Sequence, residues 1–167
     1  ATISALTAPD GTITHYIGVK EDITERRHAE QAKRESEGRL RAVIDNAPAI
    51  VHLKDNEGRF RIVNKEFERF YGLPADAALG KTATDLFPGA LADTYSNLDQ
   101  SVRKTGEVIT REIETPRHDG ALRILRSIRF PVFGQDSRAT GIGVVAFDVT
   151  ERRRAHEELA RAKVEAE

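Results

Sequence analysis

The residues able to do chemistry are few and scattered. Five histidines, His15, His28, His52, His118 and His156, are the only obvious metal ligands or proton carriers. No two lie three or four apart, the spacing that sets two ligands on one helix face, and no Asp or Glu cluster supplies a second set. No metal site is expected. Cys is absent from all 167 residues, which removes disulfides, thiolate zinc sites and cysteine nucleophiles together. No nucleophile sits beside a base, so catalysis is not expected either. What remains is binding. Phe67, Phe70, Tyr71, Phe87, Tyr95, Leu98 and Val102 recur at spacings that line either a plain core or a small-molecule pocket. Arg111 shares its parity with Ile109 and Ile113, and Arg126 shares its parity with Ile124, Ile128 and Phe130. An arginine turned inward on such a face needs a carboxylate or phosphate, because an unpaired buried charge is too costly. A bulge, an edge position or a neighbouring Asp or Glu would instead leave it in solvent or satisfied, and this is the more ordinary outcome.

These residues sit on elements that the turn residues separate. Ile50 to Lys54, Arg59 to Val63, Val108 to Thr115, Leu122 to Val132 and Ala139 to Val149 read as strands. Asp55-Asn56-Glu57-Gly58, Arg117-His118-Asp119-Gly120 and Gly134-Gln135-Asp136-Ser137 have hairpin-turn composition. Asn64 to Gly106 reads as helix broken at Gly72-Leu73-Pro74, Gly80 and Phe87-Pro88-Gly89, with Asn64 suited to cap the first piece. Two strands, short helices and three strands predict an α+β domain with a five-stranded antiparallel sheet. Val51, Leu53, Phe60 and Ile62 are expected to face the helices. Ile50 and Val63 are expected on an outer face, covered by a helix over Arg39–Asn46 or by a second subunit.

Charge is concentrated outside that domain. Lys and Arg total 26 against 27 Asp and Glu, a net charge of -1 that gives no electrostatic footprint for nucleic acid. From Lys20 to Arg41, 13 of 22 residues are charged, and from Asp148 to Glu167, 11 of 20. Both runs lack Pro and are rich in helix formers, which predicts two exposed rods, the first divided at Gly38. The longest wholly apolar run, Ile142 to Phe147, is far too short to span a bilayer. No signal peptide is recognisable, and the absence of Met suggests a piece of something longer.

The most specific feature is a repeat. DITERR at 22–27 returns as DVTERR at 148–153, an offset of 126, and Asp10 falls on Asp136 at the same offset. Asp22, Thr24 and Glu25, and likewise Asp148, Thr150 and Glu151, combine N-cap residues with an acid at the positive helix end. Each set stands where a strand should meet a rod.

With VNKEFERFYG at 63–72, LGKT at 79–82, RHDG at 117–120 and GVVAFDVTERR at 143–153, residues about 36–153 resemble a PAS domain of the kind repeated in bacterial signalling proteins. The resemblance implies the PAS fold, with helices on one face of the sheet and linker helices at both ends. It also implies the organisation. Residues 1–24 are the closing hairpin of a preceding PAS domain, 25–37 a linker helix, 38–150 a complete PAS domain and 151–167 the start of a coiled-coil linker. The orphan hairpin is expected to pair with a neighbouring chain or to be poorly ordered.

The family's cofactors can be tested by residue type. Cysteinyl-flavin versions need a Cys, and haem versions usually place a His on the long helix, here about Ala90 to Thr105, which has none. Both are disfavoured, while a small organic ligand stays open. Its pocket candidates are Asn64, Phe67, Tyr71, Tyr95, Arg111 and Arg126, with a structural role the more ordinary reading for Asn64. His156, in HEELAR, lacks the Pro of a histidine-kinase phospho-acceptor motif and is set aside. The reading is a non-enzymatic, cytoplasmic sensor and relay module of a histidine kinase or diguanylate cyclase type protein. Its partners are the neighbouring PAS and output domains and a second copy, met through the linker helices and the outer sheet face. The alternatives are a ligand-free dimerising spacer and, more remotely, part of a catalytic signalling enzyme.

Overall fold

The structure, a computed structural model, describes residues 2–165 and divides between Arg41 and Ala42 into two units. The first opens with β1 (Thr2–Thr7) and β2 (Ile13–Val19), an antiparallel hairpin whose strand residues are all exposed. Helix α1 (Thr24–Asn46) follows, with its last five residues in the second unit. Gly38 does not divide this helix, contrary to expectation. A helix-interior glycine costs only about 1 kcal/mol against Ala, and the Glu35–Arg39 pair at 3.9 Å spans it. Residues 39–43 are exposed and only Ile44 and Asp45 are half-buried, so the expected short docking helix is the end of one long rod.

The second unit runs β3 (Ile50–Asp55), β4 (Phe60–Val63), α2 (Lys65–Tyr71), α3 (Ala75–Ala78), α4 (Ala83–Leu86), α5 (Gly89–Thr105), β5 (Ile109–Pro116), β6 (Leu122–Phe133), β7 (Ala139–Asp148) and α6 (Thr150–Glu165). The five strands form one antiparallel sheet in the order β4-β3-β7-β6-β5. The breaks have local causes. Gly72 ends α2 in the left-handed conformation, φ 65°, and Thr82 with Asp85 forms a capping box that starts α4.

Which face points inward differs from expectation on three of four residues. Ile50, His52 and Lys54 of β3 lie beneath the helices, aligned with Ala146, Val144 and Ile142 of β7, and all six are buried. Val51, Leu53 and Ile62 are half-buried on the outer face, while Phe60 is inward as expected. Ile50 and Val63, expected outward, are 3% and 1% exposed. On β4 a register shift is responsible: Lys54 pairs with Phe60 but Leu53 pairs with Ile62, leaving Arg61 as an extra residue. Phe60 and Val63, three apart, therefore share a face. Alternation alone misled because the outer face is apolar too, with Ile124, Ile128, Phe130 and Val145 half-buried beside Val51 and Leu53.

Candidate functional site

Two places in the second unit assemble the sequence-predicted residues. The first is the interior between sheet and helices. Phe67 is wholly buried against Tyr71, with ring centroids 4.8 Å apart, and the Tyr71 and Tyr95 hydroxyls are 2.9 Å apart. Tyr95 Oη reaches Thr115 Oγ1 at 3.4 Å. Burial pushes Tyr71 well above, and Tyr95 above, the usual phenol range, so both hydroxyls stay protonated. These three residues share one interior; the other three candidates lie elsewhere.

Asn64 is fully buried and fully used. Its Oδ1 accepts from the N–H groups of Val51 at 2.9 Å and Phe67 at 3.0 Å, and its Nδ2 donates to the carbonyls of Ile44 at 2.9 Å and Ala49 at 2.8 Å. An amide side chain has no further capacity. Asn64 thus ties the end of α1, the start of β3 and the cap of α2, and has nothing left for a ligand. Arg126 projects from the outer face and pairs with Glu112 at 3.0 Å. Arg111 shares the helix-side parity of β5 but is exposed at the rim, beside Thr94, Asn97 and Leu98 of α5. Neither arginine enters the interior: the inward residues of β6 are Leu125, Ser127 and Arg129, and Arg111 of β5 stays exposed at the sheet's edge.

The arginine that β6 turns inward is Arg129. It is 2% exposed and pairs with Asp99 of α5, whose other oxygen accepts from Lys54 Nζ at 2.8 Å. Lys54 is 1% and Asp99 3% exposed. The Lys54 ammonium stands 4.8 Å from the Phe60 ring centroid, and the Arg129 guanidinium 5.2 Å from that of Tyr95. Burial pushes the Lys54 amine down, against the opposing pull of Asp99. His52 lies between the Phe60 and Phe67 rings with neither ring nitrogen hydrogen-bonded. Burial, then the Lys54 and Arg129 charges, hold it well below the usual imidazole range, so it is neutral. A signal for this cluster existed: Ala92, Tyr95, Asp99 and Val102 are the buried stripe of α5, and an acid there calls for a buried base.

The second place is the junction of β7 with α6. Asp148 Oδ1 accepts from the Thr150 N–H at 2.9 Å and from its hydroxyl at 2.5 Å. The Thr150 hydroxyl oxygen also accepts from the Ile124 N–H at 2.8 Å, and Val149 N donates to Ile124 O at 2.9 Å. Val149 and Thr150 are buried, while Glu151 is exposed in the first turn. One turn along, Arg153 pairs at 3.1 Å with Glu112, the carboxylate that also holds Arg126. The base of α6 is therefore pinned to β6 by backbone and to β5 by charge. At the earlier copy, Asp22 Oδ1 accepts from the Thr24 N–H at 2.9 Å and Glu25 lies in the first turn of α1.

A five-stranded antiparallel sheet in this order, helices over one face and a strand-to-helix junction of this build characterise the second unit. Residues 44–154 match the family model for the PAS fold, and the chain belongs to that family. It is 29% identical over 126 residues to the methanogenesis regulatory histidine kinase FilI of Methanothrix harundinacea, covering 75% of this chain and 14% of FilI. It is 28% identical over 156 residues to protein y4lL of Sinorhizobium fredii, covering 93% of this chain and 19% of that one. The chain thus spans less than a fifth of these curated relatives. The PAS domain of Bordetella pertussis BvgS matches with a TM-score of 0.61 and 26% identity, over 78% of this chain and 98% of that domain. A Colwellia psychrerythraea PAS domain, at 20% identity and a TM-score of 0.58 over 72% of this chain and 98% of that one, speaks to the fold alone. Among the described residues no helix is long and apolar enough to cross a membrane.

Proposed function

We propose that this chain is a non-enzymatic sensor and relay module of a larger bacterial signalling protein of histidine kinase or diguanylate cyclase type. It works in the cytoplasm and passes changes in its sheet to the helix that follows. The observation that carries the reading is the Thr150 hydroxyl, which joins Asp148 to the Ile124 N–H and so makes one residue part of both sheet and helix. A shift of β6 against β7 must move this bond or break it. A second copy covers the apolar outer face around Val51, Leu53, Val145 and Phe147, the last 39% exposed.

Residues 1–24 close a preceding copy of the same module. Support comes from residue-by-residue agreement at an offset of 126. Ser4 pairs with Ile17 as Phe130 pairs with Gly143, and the register shifts at Leu6/Thr7 as at Val132/Phe133. Thr14 Oγ1 donates to Leu6 O at 3.2 Å as Thr140 Oγ1 donates to Val132 O at 3.3 Å.

The test is Asp148→Ala in the full-length parent protein. Output should become independent of stimulus while the fold, read by circular dichroism, is retained. Unchanged signalling with Asp148→Ala would refute the relay.

A further inference from the structure

The buried charges of the interior do not balance. Lys54 and Arg129 are two cations against one carboxylate, Asp99, and all three side chains are at most 4% exposed. Beneath them Arg129 Nε, Ser127 Oγ and both nitrogens of His52 are buried without a hydrogen-bond partner. None of these residues lines the cleft that reaches Lys54 and Asp99, so it is the excess charge that a ligand there answers. The fold does not demand this cluster. At the repeat offset the place of Arg129 is taken by Ile3, and the places of Ile142 and Val144 by Tyr16 and Gly18.

A cleft leads to the cluster. It encloses about 200 Å³ between the β3–β4 turn, α4 and α5, with buried Lys54 and Asp99 at its base. Exposed Glu57, Thr84, Ser96 and Arg103 surround its mouth. One water needs only ~10–15 Å³, so a small organic molecule fits. Lys54 has three N–H donors and gives one to Asp99.

We propose that this cleft binds a small monocarboxylate, whose oxygens take the remaining Lys54 donors and hydroxyls at the mouth. This rests on reading the module as a sensor and names the class of molecule it senses. One negative charge cancels the excess of the buried cluster. A dianion would restore the imbalance with opposite sign and face both Asp99 and Glu57. The Lys54 charge would then be shared between Asp99 and the ligand, weakening the ion pair that ties α5 to the sheet.

The test is calorimetric titration of the 167-residue chain at pH 8, where inorganic phosphate is mostly a dianion, with propionate and pyruvate, against propionamide and inorganic phosphate at matched ionic strength. At least one of the two carboxylates should saturate, and neither the amide nor phosphate should. Lys54→Met and Ser96→Asp should each weaken binding at least tenfold, and Asp148→Ala should leave it unchanged. Ser96→Asp changes an exposed helix position, so it reports even if Lys54→Met fails to fold. The proposal is overturned if neither carboxylate saturates, if the amide or phosphate binds as well, or if Ser96→Asp has no effect. Such a failure leaves the relay reading intact, since that reading stands on the output of Asp148→Ala. Carboxylate binding without that uncoupling would fail the relay alone.

Discussion

Replacing Asp99 by Asn should be the most damaging isosteric change in the second unit. The side chain keeps its shape and loses only its charge, so Lys54 and Arg129 are left buried and facing each other without a counter-ion. Removing one partner of a buried ion pair costs about 3–5 kcal/mol, because the remaining charge stays desolvated. At about 2–4 °C per kcal/mol for a chain of this size, Tm should fall by roughly 6–20 °C. Replacing the whole cluster reverses the sign of the argument. Lys54→Met, Asp99→Leu and Arg129→Met together remove both the attraction and the desolvation cost, a change that is often neutral or stabilising by about 1–4 kcal/mol. Urea unfolding at pH 7, with slope and midpoint fitted separately, measures both variants. A cost below about 1 kcal/mol for Asp99→Asn would mean that solvent screens the cluster. A triple variant as unstable as the single one would mean that packing, not charge, sets the loss.

His52 should make the fold acid-sensitive. Its folded pKa lies well below the ordinary 6.5, so its contribution is complete above that value. As pH falls below 6.5 the unfolded chain takes up a proton that the folded one refuses, and stability drops by up to about 1.4 kcal/mol per pH unit. Urea midpoints between pH 7 and 5 should show this slope, and His52→Phe should remove it. Gly141→Ala should destabilise strongly, because a methyl there runs into the Lys54 carbonyl oxygen, which backbone pairing with β3 holds in place. A Tm within about 2 °C of the parent would contradict that register, since overpacking costs typically ~1–3 kcal/mol.

Element order was readable because Gly, Pro and Asp punctuate it. Asp55 to Gly58 turns β3 into β4, and Pro88 opens α5. Faces were harder to read. Val51 and Leu53 look like core beside His52 and Lys54, and only knowledge that Asp99 waits on α5 reverses the choice. A lysine or arginine on a strand reads as solvent-facing until its partner is known, and the partners here are 45 and 30 residues away. Gly38 was misread for a related reason: helix propensity sets a cost, and neighbouring residues decide whether a break follows. At the junction, Asp148 and Thr150 were legible from the repeat, but the Ile124 N–H and Glu112 belong to other strands and have no local mark.

The two copies of the junction separate what is local in it from what is tertiary. Asp22 accepts from the Thr24 N–H at 2.9 Å, the same distance as Asp148 to Thr150, although Thr24 is exposed and Thr150 is 2% exposed. Hydrogen bonds from Thr24 lower the Asp22 pKa even there, so the turn closes without a buried setting. The Asp-x-Thr turn is therefore a property of three residues, whereas the bond from Ile124 to the Thr150 hydroxyl depends on the assembled sheet. Asp148 shapes the start of α6, and Thr150 attaches it. A signal that crosses this point crosses at the second bond and still needs the first, since Asp148 takes the Thr150 hydroxyl proton and so turns that oxygen's lone pair to the Ile124 N–H.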